Sequence, residues 1–80
     1  MSNLPTAARV RTIVERRIAG VGQAVYEARI ARGLRQEDLA ALVDRSRPAI
    51  ANIETGAARP SLEVLTRIAV VLGVPVDSLL

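Results

Sequence analysis

Arg47, Pro48, Ala51, Asn52 and Thr55 fall on one side of residues 47–55, a short stretch that reads as a helix between Ser46 and Gly56. Ser46 is a good N-cap, Pro48 sits in the first turn where its missing N–H costs nothing, and Gly56 is a natural stop. Arg47, at the first helical position, suits the O6 and N7 acceptors of guanine. Asn52, further along the same broad face, suits the N6 and N7 edge of adenine or a phosphate. Pro48 and Ala51 donate no side-chain hydrogen bond, so their part in base reading is shape or contact with a thymine methyl group. The pattern is one of recognition.

Reaction chemistry is poorly supplied by comparison. The chain has no Cys and no His. That excludes disulfides, thiolate metal sites and cysteine nucleophiles, and it removes the usual general base near neutral pH. Eight carboxylates and four serines remain, with no carboxylate cluster at metal-ligand spacing. The composition argues against an enzyme and implies no cofactor and no metal.

The element that must hold the 47–55 helix in place lies just upstream. Residues 36–43 read as a second short helix, with Glu37 and Asp38 in its first turn, where carboxylates interact well with the helix dipole. Leu39, Ala40 and Val43 form its buried face, and Leu42 falls off it. Asp44, Arg45 and Ser46 make the turn between the helices. Two short helices joined this way pack at a steep angle and leave the outer face of the second uncovered. Ala40 is the small residue needed at the crossing, and Asp44 tolerates the positive φ of the turn. Ile50 and Ile53 anchor the second helix. A helix exposed in this manner fits the DNA major groove.

The rest of the chain reads as helices with no convincing strand. Thr6 caps a helix through about Ala19, with Val10, Ile13, Val14 and Ile18 at helical spacing. Gly20 and Gly22 either break that helix or soften one long helix running into the next. The next stretch, residues 21–32, ends at Gly33 and carries Val21, Val25 and Ala28 on its core stripe; Tyr26 and Ile30 lie on another face. Residues 56–60 form a loop. Ser61 caps a helix carrying Leu62, Leu65, Ile68, Ala69 and Leu72, which Gly73 closes, and a last turn spans Val76 to Leu80.

Eighty residues make one small core, and Tyr26 is the only aromatic residue in the chain, so Ala, Val, Leu and Ile must build that core. All eleven cations are Arg, the residue suited to bidentate contacts with phosphate or guanine. They are spread unevenly: residues 1–35 carry +5 and residues 36–80 carry −2. No apolar run approaches membrane-spanning length, and Met1–Asn3 does not open a signal peptide. The chain reads as a soluble, cytoplasmic protein.

Taken together, Gly33–Leu34, Gln36–Glu37–Asp38–Leu39–Ala40, Ser46, Ile50, Ile53–Glu54–Thr55–Gly56, Pro60–Ser61, Ile68–Ala69 and Leu72–Gly73–Val74 resemble a lambda-repressor-like (Xre-type) helix-turn-helix domain. The resemblance covers residues 21–80 and leaves residues 1–20 as an N-terminal helical extension. It implies an all-α fold, a five-helix bundle with an additional N-terminal helix. It also implies a sequence-specific regulator of transcription that binds double-stranded DNA at a palindromic operator, as a homodimer and often as a repressor. By the same resemblance Gln36 is a phosphate contact, and Arg29 pairs with Glu54 to tie the bundle to the motif. Arg35, Arg45 and Arg59 are further phosphate candidates near the DNA face. Thr55 is another, although its position also suits a simple helix-end role.

The chain departs from the family pattern at several positions. Asp44 replaces the usual Gly. Arg45 replaces an apolar residue and is expected to swing toward solvent or phosphate. Arg35 replaces Ser or Thr, so the first motif helix is expected to lack its usual cap. Ala51 replaces a small polar residue.

The N-terminal stripe needs a cover, either its own bundle or, as favoured here, a twofold-related copy; the alternative dimer contact is the Val74–Val76–Leu79–Leu80 end. Two other readings fit the same motif. One is an antitoxin-type module that also neutralises a protein partner, with Tyr26, Ile30 and Leu42 as candidate contacts. The other is the DNA-binding part of a longer regulator.

Overall fold

The computed structural model describes residues 3–80. Met1 and Ser2, part of the stretch read above for a signal peptide, lie outside the described residues. Helix α1 spans Ala7–Ala31, α2 Gln36–Leu42, α3 Arg47–Thr55 and α4 Leu62–Leu72, followed by a 3-10 turn, η1, at Val76–Leu79. The described chain is therefore four α-helices and a 3-10 turn. This corrects the expected five-helix bundle with a separate N-terminal helix.

The difference lies in α1. Residues 7–31 form one helix that passes through Gly20 and Gly22 without a break. Glycine in a helix interior costs about 1 kcal/mol relative to Ala, but unlike proline it keeps its N–H and so leaves the hydrogen-bond ladder intact. Gly22 also has a packing role. A Cβ there would press into the backbone carbonyl oxygens of Ile53 and Glu54, so its absence lets α1 and α3 touch backbone to backbone.

The ends of the elements follow their local chemistry. The hydroxyls of Thr6, Ser46 and Ser61 accept from the N–H groups of Arg9, Ala49 and Val64, the geometry of an N-cap. Gly56 and Gly73 close α3 and α4 in the left-handed region, where lack of a Cβ removes the steric cost.

The core is aliphatic, as the composition requires. Val25, Leu39, Val43, Ile50, Ile68, Leu72 and Leu79 are fully buried and draw on every element. Its reach along α1 begins at Val21; residues 3–17 are exposed throughout. The first half of α1 thus projects from the bundle, and the molecule measures 48 × 23 × 20 Å. Val10, Ile13 and Val14 remain more than two-fifths exposed, so the chain's own bundle is not their cover. At the other terminus Leu79 is buried and Leu80 is exposed. No described helix is long and apolar enough to cross a membrane.

Candidate nucleic-acid interface

The turn between α2 and α3 is built from four residues, Val43 to Ser46. Asp44 has φ +60°, a left-handed conformation that Asp adopts more readily than most residues. The N–H of Arg45 donates to the Ala40 carbonyl at 2.8 Å, and Ala40 is buried at the crossing. Ile50 and Ile53 turn inward and fix the rotation of α3. The face left outward carries Arg47, Pro48, Asn52 and Thr55, all exposed, with Ala51 half-buried beside them.

Behind that face runs a chain of polar contacts. Arg29 of α1 meets Glu54 of α3 through two bonds, Nε to Oε2 at 2.7 Å and Nη2 to Oε1 at 3.1 Å. Both side chains are less than a tenth exposed. Arg29 also donates to the Leu34 carbonyl at 2.6 Å, and its guanidinium lies 5.4 Å from the centre of the Tyr26 ring. The hydrogen bonds to Glu54 raise the Arg29 pKa above its usual value against the opposing effect of burial. This charge is permanent and fully partnered.

Glu54 passes the order on. Its Oε1 accepts from Gln36 Nε2 at 3.0 Å, and Gln36 Oε1 accepts from Arg47 Nη1 at 2.9 Å. A guanidinium only donates, so the Gln36 amide turns its oxygen toward Arg47 and its nitrogen toward Glu54. Composition could not reveal this contact. Its only sequence signal is a Gln at the start of α2 followed by a Glu late in α3.

The other candidate residues sit differently. Arg35 is engaged locally, with Asp38 at 3.1 Å and Glu37 at 3.3 Å. Asp38 also accepts the Arg35 backbone N–H at 2.9 Å. Arg35 makes no side-chain cap, as its type dictates; the Asp38 carboxylate three residues on supplies the reciprocal half of a capping box by accepting the N–H of the cap residue. The Arg35 side chain, followed by its backbone N–H, holds the Asp38 pKa below the usual aspartate value.

Arg45 is exposed and donates to the Asp44 carbonyl at 2.8 Å. Arg59 is exposed in the loop after α3 and forms no ion pair among the described residues. Thr55 donates its hydroxyl to the Asn52 carbonyl at 3.3 Å, while the Asn52 amide has no side-chain partner among the described residues. Arg47 and Gln36 are joined by one hydrogen bond and Thr55 and Asn52 by another, while the exposed Arg35 is engaged by two carboxylates. There is no group of carboxylates able to hold a metal among the described residues.

A helix-turn-helix family model, HTH_3, matches residues 25–79. The chain belongs to this family. It is a DNA-binding, non-enzymatic helix-turn-helix regulator of transcription of the Xre type.

Solved structures share its fold. The restriction-modification controller protein C.AhdI from Aeromonas hydrophila is 32% identical, with 79% of this chain and 96% of that chain covered at a TM-score of 0.75. The clp gene regulator ClgR from C. glutamicum is 24% identical, with coverage of 79% and 82% and a TM-score of 0.75; that likeness bears on fold alone. PlcR from Bacillus thuringiensis, solved in complex with the peptide PapR7 and DNA, is 30% identical over 76% of this chain and 21% of PlcR, with a TM-score of 0.70. No curated protein matches the chain.

Proposed function

We propose that this helix-turn-helix protein is a sequence-specific regulator in the cytoplasm that binds a palindromic operator as a homodimer and represses by occupying the promoter. The observation that carries the reading is the presentation of Arg47. It stands at the first position of an exposed α3 and is held from behind by Gln36, which is itself held by Glu54. A guanidinium pre-positioned in this way loses little freedom on meeting the O6 and N7 of a guanine.

Asn52 reads adenine or takes a phosphate, and Pro48 and Ala51 supply shape. Gln36, Arg45, Arg59 and Thr55 are the phosphate-side contacts, with Arg35 more weakly placed because two carboxylates already engage it. Phosphate contacts supply most of the affinity and base contacts the register. The controller protein C.AhdI and the DNA-bound PlcR point the same way by likeness.

One recognition helix reads only a few base pairs, so a twofold pair is needed for useful specificity. The sequence favours the N-terminal helix for the dimer contact. The distribution of charge leads us to place it on α4 instead, where Leu62 and Val70 are 69% and 76% exposed. Their near neighbours Glu63 and Arg67 already balance each other at 3.3 Å, so two copies can meet there without like charges opposed. Selection of bound sequences from random duplex DNA tests the reading: a two-part site with inverted halves supports it, and the absence of any enriched sequence refutes it.

A further inference from the structure

The projecting half of α1 carries a net charge, and the rest of the chain does not. Residues 20–80 hold seven arginines and seven carboxylates; the whole net charge of +3 resides in residues 1–19, as Arg9, Arg11, Arg16 and Arg17 against Glu15. None of these four arginines makes an ion pair among the described residues. At helical spacing Arg9, Ile13, Arg16 and Gly20 share one strip. That strip borders a groove of about 350 Å³ between Ile13, Arg16, Arg17, Gly20 and Leu80. A second hollow of about 270 Å³ continues from Ile13 and Arg16 past Thr12 and Arg9. Ile13 and Leu80 are 47% and 57% exposed.

We propose that this groove docks an acidic amphipathic segment of another protein. Its apolar side covers Ile13 and Leu80, and its carboxylates pair with Arg9, Arg16 and Arg17. The guanidinium fork matches a carboxylate through two bonds, and the apolar floor gives a helix of period 3.6 a face to bury.

The two obvious rivals fit less well. DNA phosphates would meet the charge but leave the apolar floor uncovered. The strip also points toward η1, whereas α3 approaches α1 at Ala19 and Gly22, about a third of a turn around the helix. The same strip of a second copy would oppose arginine to arginine, because Glu15 is the arm's single carboxylate and lies off the strip. None of the docking residues belongs to the α2–α3 motif, so the inference stands apart from the DNA reading.

The test uses the full chain and a synthetic helical peptide with leucines at i, i+3, i+4 and i+7 flanked by glutamates, beside the same peptide with glutamine for every glutamate. The glutamate peptide binds and the glutamine peptide binds at least about tenfold more weakly, as several exposed charge pairs imply. The variant R9Q/R16Q/R17Q loses affinity for the glutamate peptide by about the same factor, and Ile13→Ser weakens both peptides. In each variant helix content and DNA affinity remain unchanged. Equal binding of the two peptides, or of neither, overturns the proposal. So does a triple variant that loses self-association in sedimentation, which makes the groove a contact between copies. A triple variant whose DNA affinity falls with a shallower salt dependence also overturns it, because the arginines are then phosphate contacts.

Discussion

Gln36 holds Arg47 at 2.9 Å through its amide oxygen, and it faces that way because Glu54 has taken the amide nitrogen. The residue that opens α2 therefore sets where the first side chain of α3 points. Gln36→Ala is expected to leave the fold intact while lowering operator affinity by about 1 kcal/mol, the usual worth of one hydrogen bond. Titration of the selected operator with the variant measures this, and unchanged affinity would show that Arg47 needs no support.

The Arg29–Glu54 pair acts on stability. Both partners are almost completely buried, so Arg29→Ala leaves a carboxylate without its counter-charge. The expected loss is about 3 kcal/mol in urea unfolding. Base preference measured at a temperature where the variant is folded should be unchanged. A loss below 1 kcal/mol would mean that the site relaxes to admit water.

Gly20 and Gly22 are two residues apart in one helix and should respond oppositely to alanine. A Cβ at Gly20 meets nothing within 4 Å, so Gly20→Ala should stabilise by about 0.5–1 kcal/mol through helix propensity. A Cβ at Gly22 meets the Glu54 carbonyl oxygen at 2.7 Å; α1 must then move off α3, at about 1–3 kcal/mol. Equilibrium unfolding of the two variants decides the matter, and equal shifts would contradict the close approach described here.

These glycines mark where sequence reading stops. The caps at Ser46, Ser61, Gly56 and Gly73, the left-handed Asp44 and the buried Ile50 and Ile53 are legible because local chemistry dictates each of them. The continuity of α1 is not, because a glycine in a helical pattern signals a break and a close contact equally well. The missing side-chain cap of α2 is legible from Arg35 itself, whereas the bond from the Arg35 N–H to Asp38 depends on a residue three positions on. The orientation of Gln36 depends on Glu54, a neighbour only in space.

The placement of the dimer contact on α4 makes a prediction of its own. Val70→Asp should yield monomers in sedimentation, and removal of residues 1–19 should leave the dimer intact. The reverse pair of results would return the contact to the projecting half of α1.

The central claim is that Arg47 reads a base. The direct measurement is the affinity of wild type and Arg47→Ala for the selected operator and for its single-base variants at each half-site position. Loss of about 1–3 kcal/mol on the operator is expected, with discrimination relaxed at one position in each half-site and retained at the others. Arg59→Ala should instead weaken all sequences alike and flatten the salt dependence. If Arg47→Ala lowers affinity for every sequence equally, Arg47 contacts phosphate and the base-reading assignment is contradicted.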